Sequence, residues 1–206
     1  MPDIELKIDR KQLRDILDKI NRLKPKERNS IIYKGMLHAT NLVERKLKLN
    51  LAGQILNVRS GKLRQSIGSR VFANETGITG LVGSGVRTGK RMVYANIHET
   101  GGMISATKAK YLTIPLDAAK TAAGAPRKAK ARDWPNTFIL RTKGGELLIV
   151  QKNGKKGIIP LYILKKSVNI PKRRYLSRTL EQMQNRILTV LGSHINTALN
   201  ERSTNV

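Results

Sequence analysis

No cysteine occurs in the 206 residues, which excludes disulfides and thiolate-bound metal and fits synthesis in a reducing cytoplasm. Histidine is scarce at three residues, none with a partner at metal-site spacing, so neither a metal nor a cofactor is expected. Aromatic residues make up only 4%, and the core must therefore be built mostly from Leu, Ile, Val and Ala. No apolar run approaches the roughly 20 residues that span a bilayer. The first fourteen residues carry charges throughout and no apolar h-region, which predicts no secretory leader. Acidic residues are the last shortage: 14 Asp and Glu stand against 40 Lys and Arg, a formal charge of +26. That imbalance requires an acidic or polyanionic neighbour, nucleic acid or an acidic protein surface before a membrane.

What remains is ample for folding. Hydrophobic residues make up 39%, enough for one core in a chain of this length. Asp3 to Asp9 alternate polar and apolar, placing Ile4, Leu6 and Ile8 on one face of a short strand. Leu13, Ile16, Leu17, Ile20 and Leu23 then recur at three and four residues, the spacing of a helix over 10–23. Pro25 ends it, and a longer helical pattern follows over 26–51. Gly35 inside that pattern costs about 1 kcal/mol relative to Ala, which predicts a close crossing by another element. His38 near the stripe reads as a packed or exposed helical histidine.

Ser60 to Ile67 read as a turn or N-cap at Ser60 and one turn of helix, with Leu63 and Ile67 four apart. The Gly61-Lys62 pair lacks the rest of a phosphate loop, and Gly83-x-Gly85 is too short for a dinucleotide fingerprint. Residues 69–73 and 78–84 predict a hairpin, and a glycine-punctuated loop follows. Tyr111–Leu116 is a strand that Pro115 ends or confines to an edge. Asp117 to Trp134 carry too little apolar bulk for more than an exposed loop or short helix. Residues 138–143, 147–152 and 158–164 extend a second antiparallel patch over 104–170. Pro171 to Arg174 lead into a long amphipathic helix from Leu176 to about Arg202, expected to cover the sheet. The whole predicts an α+β fold, an antiparallel sheet packed by two N-terminal helices and one long C-terminal helix. It reads as one domain over 1–206 with a basic loop and β-hairpin insertion at about 117–168.

Val93-Tyr94-Ala95-Asn96-Ile97-His98-Glu99-Thr100-Gly101-Gly102 packs an apolar run, a His-Glu pair and a double glycine into ten residues. It predicts a buried element running into a turn that needs positive φ. His98 and Glu99 invite an acid-base reading, with Ser66 as a nucleophile. Neighbouring residues diverge by about 100° on a helix and face opposite ways on a strand, so the pair does not converge on one substrate atom. Neither a nucleophile elbow nor an oxyanion loop accompanies Ser66. The chain therefore reads as no enzyme, and His98 and Glu99 as residues that cap, pair or touch a neighbouring subunit.

Three stretches in order resemble the tailed-phage neck and tail-completion family, which includes the virion morphogenesis proteins of Mu-like phages. Ser60-Gly61-Lys62-Leu63-Arg64-Gln65-Ser66-Ile67 resembles its G-x-L-x-x-S-I turn, and Val93 to Gly102 its V-x-Y-A-x-x-x-E-x-G signature. Ile170-Pro171-Lys172-Arg173-Arg174-Tyr175-Leu176 resembles its P-x-R-x-[FY]-L lead-in to the last helix. Arg174 stands where a proline is common, and the basic segment from Lys120 through the Phe138 hairpin is longer than the minimal pattern. The resemblance implies a non-enzymatic ring, usually hexameric, that terminates the tail and joins it to the head. It makes tail tube, sheath and head-neck connector proteins the partners, and the virion the location, with assembly in the host cytoplasm. On that reading Tyr94, His98, Glu99 and Gly101 shape the subunit or its ring contact, and Arg173, Tyr175 and Leu176 anchor the last helix.

Between Lys120 and Arg174 fifteen basic residues face only Asp133 and Glu146, an excess of thirteen. Arg127, Lys128, Lys130, Arg132, Lys155 and Lys156 are the candidate contacts, either to acidic partner faces or to DNA phosphates in the ring lumen. The other function consistent with this charge is a cellular nucleic-acid-binding protein, supported by the run Arg127-Lys128-Ala129-Lys130-Ala131-Arg132 beside Trp134. Against it, the cations are scattered over every element and few aromatics are present for base stacking.

Overall fold

The computed structural model describes residues 10–21, 24–56, 59–74, 77–89, 92–154 and 157–203. The strand expected over 3–9 lies outside them, as do Leu23, Lys155 and Lys156. The fold is α+β, and it divides into two compact units, Met1–Leu56 with Gly61–Glu99 and Arg173–Val206, and Asn57–Ser60 with Thr100–Lys172. The second unit thus runs well beyond the stretch 117–168 that the sequence marks as an insertion.

In the first unit, α1 spans Arg10–Asn21 and α2 spans Pro25–Leu49. Pro25 occupies the first helical position, where an N–H would have no intrahelical acceptor and the ring's fixed φ suits the helix. Gly35, Ala39, Thr40, Val43, Glu44 and Leu47 form the buried stripe of α2. The helix closes in a π-type turn, Asn50–Gln54, where Gly53 takes φ +121°. A short helix α3, Lys62–Ser66, follows, and its N-cap is Gly61 at φ 71° rather than Ser60. Strands β1, Ile67–Asn74, and β2, Gly77–Ser84, pair from Ile67↔Ser84 to Asn74↔Gly77. Helix α4 is Val93–Thr100, and α5 is Tyr175–Ser203.

Helix α2 lies against the β1–β2 hairpin and along α5. Two glycines permit these contacts. A Cβ on Gly35 would stand 3.1 Å from Leu191 Cδ2 of α5, the close crossing its position predicts. A Cβ on Gly80 of β2 would stand 2.2 Å from Thr40 Cγ2. The core joins Leu47, Leu51, Ile67 and Tyr175, with Leu63, Val82 and Leu176 around it. Burying side chains of this size contributes about 1.5–3 kcal/mol each, and Tyr175 at the start of α5 brings that helix onto β1.

Polar groups stitch the same elements. Asn50 is 1% exposed, and its side-chain amide donates to Thr179 Oγ1 at 2.7 Å and to Gln182 Oε1 at 3.3 Å, tying the end of α2 to α5. The buried Glu44 carboxylate accepts from Lys48 Nζ at 2.6 Å, Ser69 Oγ at 2.6 Å and Arg87 at 2.8 Å. Burial pushes its pKa up, but the Lys48 and Ser69 hydrogen bonds and the charges of Lys48 and Arg87 outweigh that and hold it below the ordinary carboxylate value.

The second unit holds two sheets. Strand β3, Gly102–Ser105, pairs with β8, Ser167–Ile170. Strands β4, Leu112–Pro115, β5, Thr137–Arg141, β6, Leu147–Lys152, and β7, Ile158–Lys165, form an antiparallel sheet in the order β4-β7-β6-β5. Pro115 does lie on an edge strand, where its missing N–H breaks no ladder. The 117–134 segment makes two 3₁₀ turns, Asp117–Ala119 and Ala131–Asp133. It is less exposed than its composition suggests: Ala119 is wholly buried with Leu161 and Tyr162, and Trp134 donates its indole N–H to Tyr162 Oη at 3.0 Å.

Replacing Gly80 with Ala forces a methyl against buried Thr40 and is expected to destabilise the protein by about 1–3 kcal/mol. In a denaturation double-mutant cycle, Thr40→Ser, which removes the obstructing methyl and keeps the hydroxyl, should recover part of that loss.

Candidate functional site

Helix α4 delivers its one buried carboxylate to the start of another helix. Glu99 is 5% exposed. Its Oε2 accepts from the Leu176 amide at 2.7 Å, and its Oε1 accepts from the Ser177 amide at 3.1 Å and from Ser177 Oγ. The first amides of a helix have no intrahelical acceptor and carry the positive end of its dipole, so a carboxylate there answers both needs.

The backbone completes the joint. The Arg173 amide donates to the His98 carbonyl at 2.9 Å and the Arg174 amide to the Glu99 carbonyl at 3.3 Å. Two carbonyls from the last turn of α4 are thereby satisfied by the chain that leads into α5. Arg174 accepts the first helical bond, from the Arg178 amide at 2.9 Å, at a φ of 53°. Proline, fixed near −65°, cannot adopt that angle, so Arg174 makes a left-handed turn into the helix that proline could not.

The other expected residues fall around this joint in distinct ways. Tyr94 meets the His98 ring edge-on, with centroids 6.1 Å apart. Tyr175 is 1% exposed beside Ile67 and Leu47. Burial, and then the charge of Glu99, raise its phenol well above the ordinary value of 10. Leu176 packs on the same core, whereas the Arg173 side chain is exposed and serves through its backbone amide. Gly101 belongs to the second unit; at φ 71°, a Cβ there would stand 2.8 Å from the Lys172 amide nitrogen.

The residues that suggested an acid-base set have these partners. Glu99 spends both oxygens on α5, and Ser66 Oγ bonds the Leu63 carbonyl at 2.7 Å and Ser84 Oγ at 2.9 Å. His38 meets His194 of α5, Nδ1 to Nε2, at 3.2 Å. Among the described residues no group of three or more His, Asp or Glu stands together as a metal site, and no helix is long and apolar enough to cross a membrane.

The basic candidates form a separate cluster in the second unit. Arg127, Lys128, Lys130 and Arg132 are all exposed. Arg127 Nε donates to the Lys120 carbonyl at 2.7 Å and the Lys130 amide to Asp133 Oδ2 at 2.9 Å, which hold the loop's backbone while its cations face water. Lys155 and Lys156 lie outside the described residues. Sequence reasoning missed Ser177, Asn50 and Thr179: each is a common polar residue whose partner is distant in sequence, and no local spacing marks it.

Comparison with protein-family models, curated proteins and solved structures gives no match.

Two measurements test the joint. Glu99→Gln replaces one acceptor oxygen with an N–H donor facing helix amides, and the loss in denaturant unfolding should be about 2–3 kcal/mol. Tyr175 is neutral in the fold and its pKa there is raised, so its contribution is complete below about pH 10 and falls as pH rises from the unfolded value toward the native one. Wild type should therefore lose up to about 1.4 kcal/mol per pH unit more than Tyr175→Phe above pH 10; parallel stability curves would exclude this coupling.

Proposed function

We propose that this chain is a structural, non-enzymatic virion protein that completes a phage tail and joins it to the head-neck as a hexameric ring. The observation that carries the reading is where the three family-like stretches meet. Ile67 from the first and Tyr175 from the third share one core, and Glu99 from the second caps the helix that the third begins. Residues spaced over more than a hundred positions thus serve one joint, which supports reading the motifs as ones that hold a fold. The partners on this reading are tail tube, sheath and connector proteins, met in the host cytoplasm during assembly and retained in the virion.

The exposed cations at 127–132 favour a second reading, a cellular nucleic-acid-binding protein. Double-stranded DNA drawn through a ring lumen and DNA bound by a free monomer use the same phosphate contacts, so binding alone does not separate the two. Oligomeric state does. Native mass at low and high salt, with and without double-stranded DNA, should give one discrete ring that survives high salt. A monomer that binds DNA at low salt, releases it steeply as salt rises and never assembles would overturn the ring and promote the alternative.

A further inference from the structure

Two of the chain's three histidines, 156 residues apart in sequence, meet where α2 runs along α5. His38 Nδ1 lies 3.2 Å from His194 Nε2, with the ring planes at 88° and the centroids 5.5 Å apart. The helix crossing fixes the backbones beneath them. Gly35 lies three residues before His38 on α2 and Leu191 three before His194 on α5, so each pair shares a helix face. A Cβ on Gly35 would stand 3.1 Å from Leu191 Cδ2 and 3.5 Å from His194 Cβ. Farther along, Asn50 ties the same two helices through Thr179 and Gln182. The imidazoles thus face each other from anchored positions, and solvent reaches them: His38 is exposed and His194 half-buried.

The spacing suits a shared ion. Two metal–nitrogen bonds of about 2.0–2.1 Å hold their nitrogens about 3.3 Å apart at a tetrahedral angle and about 2.9 Å apart at a right angle, and 3.2 Å falls between. Each lone pair has to swing about 35° off the line joining the nitrogens, an adjustment within the broad χ2 range of histidine. The hydrogen-bonded pair holds one proton between these two nitrogens. When that proton sits instead on the donor ring's other nitrogen, both inner lone pairs are free and the net charge is unchanged.

We propose that His38 and His194 form a two-imidazole site for a late first-row divalent cation, Zn²⁺, Ni²⁺ or Cu²⁺, which clips α2 to α5 while water completes its coordination. Imidazole suits these ions, whereas Mg²⁺ and Ca²⁺ take oxygen ligands. Among the described residues no carboxylate joins the pair to make a group of three, and a formal charge of +26 opposes any cation held by charge alone. Selectivity therefore comes from the nitrogen lone pairs. The clip ties the helix that carries the buried stripe of α2 to the helix that Glu99 caps, so the stability of the first unit becomes conditional on metal supply. This site does not depend on the ring reading.

The test uses untagged full-length protein, stripped with a chelator and titrated near neutral pH with Zn²⁺, Ni²⁺, Cu²⁺ or Mg²⁺. Zn²⁺ or Ni²⁺ at about a hundred times its measured dissociation constant should raise the melting midpoint by about 5–10 °C, and Mg²⁺ should leave it unchanged. His38→Gln and His194→Gln keep a polar side chain on each helix; either should weaken binding at least about tenfold and remove most of the rise. Electron paramagnetic resonance of bound Cu²⁺ reads the ligands directly. Wild type should hold one ion per chain with two imidazole nitrogens, and each variant should show one. Melts without metal verify that the variants fold, and if one does not, the wild-type Cu²⁺ spectrum decides alone. A single-imidazole spectrum in wild type, binding unweakened by both substitutions, an equal response to Mg²⁺, or no saturable binding at millimolar ion would refute the site.

Discussion

A buried carboxylate needs compensation for its lost hydration, and Glu99 obtains it from the start of another helix. Its two oxygens meet the Leu176 and Ser177 amides, so the charge that opposes the dipole of α4, near whose C-terminus it sits, complements that of α5. The joint is reciprocal, because the α4 carbonyls of His98 and Glu99 accept from Arg173 and Arg174. Each helix end supplies what the other lacks. Tyr175 begins α5 beside this charge and fills the core against Leu47 and Ile67, so the same few residues set both the direction of the helix and the packing beneath it.

The remaining polar ties of the first unit follow the same logic. Asn50 reaches Thr179 and Gln182, and Glu44 gathers Lys48, Ser69 and Arg87. Both sit on or just beyond α2, which faces the hairpin and α5. With few aromatic side chains to add area, alignment of these elements depends on glycines that let backbones approach and on polar groups whose unmet bonds would be costly in any other arrangement.

Much of this was legible before any coordinates. Three-and-four spacing locates the long helices to within a few residues, the patterns at 69–73 and 78–84 mark the hairpin, and Gly35 announces the crossing by α5. The family-like stretches drew attention to Glu99, Tyr175 and Leu176, and these do stand together. The joint's chemistry was hidden because a helix cap supplied from 77 residues away leaves no capping box in the local sequence. Short strands escaped as well: Gly102–Ser105 and Ser167–Ile170 pair with each other, but four residues are too few for alternation to rise above noise. Composition also misjudged Ala119, small and flanked by polar residues yet wholly buried.

The order in which a ribosome releases the chain gives the α4–α5 joint a temporal meaning. The second unit is almost continuous in sequence, from Thr100 to Lys172 apart from a four-residue outlier, and its strands can pair as they emerge. The first unit is split around it, and the helix that satisfies Glu99 and covers Gly35 is made only after the second unit. Until residues 175–203 appear, α2 and the β1–β2 hairpin lack the core's Tyr175, and a buried-to-be carboxylate stays hydrated. Closure of this unit therefore waits until Tyr175–Ser203 has been made, and a chain interrupted before that helix holds a continuous second unit but an unfinished first one.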